Sequence, residues 1–176
     1  MNWTQKIYRE DGTEETLDSL LPNEWCLLIL FRHAECMECN LLVHELNGLQ
    51  HHLAQWNISI VGVGNSDIKA VQRLRERLQI SPKIQLCAHP QKEIHHELQL
   101  YNSFWRAWGY KAIWNTLKGF QQGHIQTSLG FPMGQQSGIA LLNPKKEICW
   151  LHKSRFLGDI PTQGDILEQV LLYKGV

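Results

Sequence analysis

The stretch Trp25–Asn40, WCLLILFRHAECMECN, leaves the chain few ways to fold. Its apolar run, Trp25 to Phe31, is the length of one buried strand and too short for an ordinary helix. Beyond a short loop come Cys36 and Cys39, spaced C-x-x-C. Leu41, Leu42, His44, Glu45, Leu46, Leu49 and Leu53 then recur at helical spacing. The order is strand, tight loop, helix, with the dithiol at the helix N-terminus. Unpaired backbone N–H groups and the positive end of the helix dipole favour a thiolate over a thiol there. A nucleophilic cysteine needs that placement, and a purely structural one does not.

The flanking chain completes a pattern around this unit. Thr4–Tyr8 reads as a short strand, Asp11-Gly12 as a turn, and Thr16–Leu20 as a short helical lead-in. Asn57–Val63 (NISIVGV), ended by Gly64, is a second strand rich in β-branched residues. Two apolar strands joined by one helix form a βαβ unit, so they are expected to be parallel and buried on both faces. Ser66 is the expected N-cap of a helix reaching Gln79, with Ile68, Val71, Leu74 and Leu78 buried. Its other side, Lys69, Arg73, Arg75, Glu76 and Arg77, reads as a solvated face. Lys83–Ala88 is a third strand, Lys92–Tyr101 a helix, and Ser103–Phe120 an aromatic-rich segment with Trp105, Trp108, Tyr110 and Trp114. That cluster reads as helix core before it reads as a wall beside the thiols. Gly138–Leu142 and Glu147–His152 flank Asn143-Pro-Lys-Lys146 as an antiparallel hairpin. A last helix, Thr162–Tyr173, carries Ile166, Leu167, Val170 and Leu171 on one side.

With 176 residues and no internal repeat or linker, a single domain is expected. It divides into an N-terminal extension (1–24), a βαβα half bearing the C-x-x-C (25–80), an insertion (81–136) and a ββα half (137–176). Lysine plus arginine equals aspartate plus glutamate, 17 each, so charge steers the chain toward neither nucleic acid nor an anionic membrane. MNWTQKIYRED has no apolar secretory core and no run is long enough to span a bilayer, which makes a reducing cytoplasm the expected location. Five cysteines, an odd number, argue against a fully paired secreted framework.

Cys36 and Cys39 are the candidate redox pair. One thiolate attacks and the other resolves the intermediate as an internal disulfide. Arg32 and a protonated His33 favour the thiolate, and Glu35 and Glu38 oppose it by like charge. A rival reading is zinc held by Cys36, Cys39, Cys87 and His89, with His33 and His44 as further candidates. A third is a binding module whose dithiol is vestigial. Cys26, Cys149 and Cys87 read as core residues, and His51-His52 and His95-His96 as surface doublets. Gly62-Val-Gly-Asn65 lacks the third glycine of a dinucleotide loop, Asp67 standing there, and reads as a glycine-eased strand exit.

Leu27–Asn40, Ile58–Asn65 and Ser137–His152 together resemble a peroxiredoxin-like branch of the thioredoxin superfamily, related to the alkyl hydroperoxide reductase/thiol-specific antioxidant (AhpC/TSA) enzymes. Where the peroxiredoxin loop reads P-x-x-x-T-x-x-C, this chain has Arg32, Cys36 and Cys39. Before the hairpin strand, Gln135, Gln136 and Ser137 stand where peroxiredoxins place an arginine, and Ser137-Gly138 where thioredoxins place a cis-proline. The resemblance implies an α/β thioredoxin fold: a central mixed sheet with helices on both faces, and an inserted strand and helices before the C-terminal hairpin. It implies an antioxidant thiol–disulfide oxidoreductase with a redox-active disulfide and no bound cofactor. Its substrate would be a disulfide or hydroperoxide, and a thioredoxin- or glutathione-type reductant would restore it. Arg32 would be the local cation, and His33 and Ser137 would face the substrate. Thioredoxin logic makes Cys36 the attacking sulfur and peroxiredoxin alignment makes it Cys39; Cys36 is favoured for disulfide substrates.

Overall fold

The computed structural model describes the backbone of residues 3–34, 37–91, 93–100, 135–156 and 158–175, and their side chains except those of 37–40. In chain order the elements are β1 (Lys6–Arg9), β2 (Glu14–Thr16), α1 (Leu17–Leu20), β3 (Trp25–Phe31), α2 (Met37–Gln55), β4 (Ile58–Gly64) and α3 (Ile68–Leu78). Then follow β5 (Ile84–Ala88), α4 (Glu93–Glu97), β6 (Gly138–Leu142), β7 (Ile148–Lys153) and a last helix, α5 (Gln163–Lys174). The described strands form one sheet in the order β2-β1-β5-β4-β3-β6-β7. β3, β4 and β5 run parallel, while β6, β7, β1 and β2 pair antiparallel. The sheet is therefore mixed, and β3 lies within it because its unbroken apolar run must be covered on both faces.

Alternation along β3 sends Leu27, Ile29 and Phe31 into one core and Cys26, Leu28 and Leu30 into the other. The first core is closed by α2, α3 and α5 through Leu42, Leu46, Val71, Leu74, Ile166 and Val170. The second is closed by Trp3, by Leu17 and Leu20 of α1, and by Ile94 and Leu98 around α4. Helices thus cover both faces. The glycines of β4 serve the first core: a β-carbon on Gly62 or Gly64 would stand 2.8 or 2.5 Å from the Phe31 ring. The strand-exit reading of Gly62–Asn65 is supported by that contact.

Several expectations need correction. The N-cap of α3 is Asp67, whose carboxylate accepts the Ala70 N–H at 2.7 Å, and not Ser66, whose hydroxyl turns to the β3–α2 loop. Arg75 is no solvated residue. Its guanidinium grips the Glu10 carboxylate and donates to the carbonyls of Ile80, Ser81 and Ile84 at 2.7–3.1 Å, tying α3 to β5 and to the β1–β2 hairpin. The helix expected over Lys92–Tyr101 is a single turn, because Gln99 enters the left-handed region at φ 53°. Within that turn His95 is fully buried while His96 is exposed, so the doublet is not a surface pair. Leu171 on α5 is 43% exposed, outside the buried stripe of Ile166 and Val170. Cys149 lies half-buried on β7, at the sheet edge and not in the core. Cys26 and Cys87 are buried as expected. The aromatic segment Ser103–Phe120 lies outside the described residues.

Candidate functional site at the C-terminal ends of the parallel strands

Parallel β3, β4 and β5 end together, with Phe31 opposite Gly64 and Gly64 opposite Ala88. β6 starts beside them, Gly138 pairing with Leu30. The next residues on each strand are polar, yet Arg32, His33, Asn65, His89 and Ser137 are all less than a tenth exposed. His95, Gln135 and Gln136 join them in burial. In open sheets with parallel strands, ligands bind beyond the carboxyl ends of those strands. Buried polar groups concentrated there are therefore of interest, because each costs free energy unless it is satisfied.

Three of the residues expected at the site come to this edge: Arg32 and His33 directly after β3, and Ser137 directly before β6. Ser137 is bound to its neighbour strand. Its hydroxyl is 2.8 Å from that of Ser154, and its carbonyl accepts the Ser154 N–H. The backbone of Cys39 lies in the first turn of α2, where amide N–H groups have no partner within the helix. Cys36 and the sulfur of Cys39 lie outside the described residues.

The loop that carries the dithiol is fixed at Ala34. Ser66 Oγ accepts the Ala34 N–H at 2.8 Å, and Arg77 Nη2 donates to the Ala34 carbonyl at 3.2 Å. Asn65 N–H donates to the Phe31 carbonyl at 3.3 Å, and Nε2 of His95 approaches the same oxygen at 3.3 Å. The Asn65 side-chain nitrogen is buried and has no hydrogen-bond partner among the described residues.

His89 occupies both ring nitrogens with backbone. Nδ1 lies 2.8 Å from the Lys6 carbonyl, which makes it the N–H donor, and Nε2 accepts the Ile94 N–H at 3.5 Å. Burial holds the His89 pKa below its ordinary value, in keeping with a neutral ring. Burial pushes the Cys87 thiol up to about 12. The pair offered for zinc is thus a protonated thiol and an imidazole engaged on both sides. Among the described residues no group of three or more histidine, cysteine or acidic side chains could hold a metal ion.

Asn65, Ser66, Arg77, His95 and Gln136 were not singled out as site residues from sequence. The available signal was position: Asn65, Ser66, Arg77 and His95 are at, or bonded to, the backbone at or just past the end of an apolar strand, and Gln136 lies just ahead of β6. Among the described residues no helix is long and apolar enough to cross a membrane.

No family model matches the chain, and neither does any curated protein. Solved structures do resemble it. A peroxiredoxin Q from Xanthomonas campestris superposes with a TM-score of 0.67 at 11% identity, over 99% of this chain and 93% of that one. The peroxidoxin BcpB from Mycobacterium tuberculosis gives 0.67 at 11%, over 97% and 92%. AhpC from Enterococcus faecalis gives 0.66 at 11%, over 100% and 95%. At so low an identity the likeness is one of architecture alone: this chain has the α/β thioredoxin fold that these structures share.

Proposed function

We propose that the protein is a thiol-dependent oxidoreductase that uses the Cys36–Cys39 dithiol to reduce a disulfide or a hydroperoxide. The observation that carries this reading is the placement of Cys39 in the first turn of α2, straight after the central strand. A thiolate is stabilised there by the helix N-terminus. Arg32 supplies a nearby cation, His33 and Ser137 line the substrate side, and Asn65 offers a buried side-chain nitrogen with no hydrogen-bond partner among the described residues.

With a disulfide substrate, one thiolate attacks a substrate sulfur, forms a mixed disulfide and expels the other sulfur as a thiolate. The second cysteine then attacks its partner, closing the Cys36–Cys39 bridge and releasing the second substrate thiol. Two electrons pass from the dithiol to the substrate. With a hydroperoxide, the attacking sulfur takes the terminal oxygen to become a sulfenic acid, and an alcohol leaves. The second thiol then condenses with it, expelling water. Either way a thioredoxin- or glutathione-type dithiol or thiol pair restores the reduced enzyme. The proposed setting is the cytoplasm, where such reductants operate.

The test is a redox titration of the pair, read by alkylation and mass spectrometry, with hydrogen peroxide and a small disulfide as separate oxidants. A reversible bridge with a potential between about −180 and −270 mV supports the reading. Cys36→Ser and Cys39→Ser identify the attacking sulfur, since only the variant that keeps it forms a mixed adduct. Failure of both oxidants to close the bridge overturns it.

A further inference from the structure

Resting on the dithiol reading above, the geometry points to Ser66 and Arg77 as positioning residues that hold the Cys36–Cys39 loop from α3. The Ala34 side chain is fully buried in the first core, so its peptide groups cannot rely on water. Both are satisfied from α3 and the residue that leads into it: the N–H by Ser66 Oγ at 2.8 Å, the C=O by Arg77 Nη2 at 3.2 Å. The helix does not need Ser66 for itself, because Asp67 provides the N-cap. A serine released from capping and an arginine reaching back along α3 thus converge on one residue, two positions ahead of Cys36. Arg77 also brings a guanidinium to a loop that already carries Arg32 and His33. α2 supplies the helix N-terminus, and α3 sets the direction from which the chain enters it. Weakening either bond loosens the backbone at Ala34, two positions ahead of the first thiol.

The experiment compares wild-type protein with S66A, S66T, R77M and R77K. For each, the iodoacetamide reaction rate of the reduced pair at pH 7, the redox midpoint of the pair against glutathione, and the thermal midpoint are measured. S66A and R77M are expected to slow alkylation about three- to tenfold and to displace the redox midpoint. S66T, which keeps the hydroxyl, and R77K, which keeps a charged donor, recover much of both. T162A, which removes a helix cap far along the chain, serves as a control of comparable stability loss. A reactive wild-type pair that is indifferent to S66A and R77M, or that T162A perturbs equally, overturns this inference alone. A wild-type pair inert to both oxidants overturns it together with the oxidoreductase reading.

Discussion

The ring of Phe31 fills the space that a side chain on Gly64 would need, a β-carbon there standing 2.5 Å from Cε2. Because Phe31 is fully buried and pairs with Gly64 across the parallel ladder, the ring has nowhere to retreat. Gly64→Ala is expected to lose about 1–3 kcal/mol by overpacking. Urea unfolding measures it. In the double variant with Phe31→Leu the loss should fall short of the sum of the two single losses, since the smaller side chain relieves the clash.

His89 makes stability depend on pH. Burial lowers its folded-state pKa below the ordinary 6.5, against the Lys6 carbonyl, Glu93 and Glu97, which raise it. The folded state therefore binds fewer protons than the unfolded state between those two values. The stabilisation is present above about pH 6.5 and is lost as pH falls through the folded pKa. Urea midpoints at pH 7.5 and 5 should differ in the wild-type protein by more than in His89→Gln.

Arg75→Met should destabilise the protein by roughly 1–3 kcal/mol, because the carbonyls of Ile80, Ser81 and Ile84 lose their shared donor. Arg75→Lys should recover little. An ammonium cannot reproduce the fork that reaches three carbonyls and the Glu10 carboxylate together. Thermal melts of the two variants check this.

Cys26 and Cys87 should resist alkylation in the native protein at pH 7, their thiols pushed up by burial, Cys87 to about 12. Cys149 is half-buried where the other two are buried, its thiol also raised by burial, so its greater access should let it label sooner than either. Peptide mapping of a labelling time course ranks the three. It also supplies the internal reference against which reaction of the dithiol is judged.

Thr162→Ala should lose about 1 kcal/mol by opening the capping box in which Thr162 Oγ1 accepts the Asp165 N–H and the Asp165 carboxylate accepts the Thr162 N–H. The same pairing holds the Asp165 pKa below its usual value, so the contribution fades as pH falls through that carboxylate's titration. Thermal melts at pH 7 and pH 3 would show the difference.

The central strands and the hairpin were readable in the sequence because β3, β4 and β6 are nearly continuous apolar runs, which leave one element type and one environment. β2 was not, since Glu14-Glu15-Thr16 has no apolar pattern and exists only as the edge partner of β1. His95 was misplaced because a five-residue helix carries too little periodicity to show which side is inward. Local spacing in the sequence names the C-x-x-C and the arginine and histidine before it as a candidate site, and the structure buries Arg32 and His33 at the end of β3. Spacing does not name Asn65, Ser66 or Arg77. Their place at the site comes from which strand ends meet and which helix lies beside the loop, a matter of topology and not of neighbouring letters.

Leu27 of β3 pairs with Leu141 of β6, so one side of the central strand waits for a segment made much later. A chain emerging from the ribosome can complete β3, α2 and β4 while that side still presents unpaired N–H and C=O groups on an apolar ribbon. Long-range closure of this kind slows folding and leaves an adhesive edge open in the meantime. Yield on refolding should therefore fall with protein concentration more steeply than native stability would suggest, and the vulnerable seam is β3's edge toward β6.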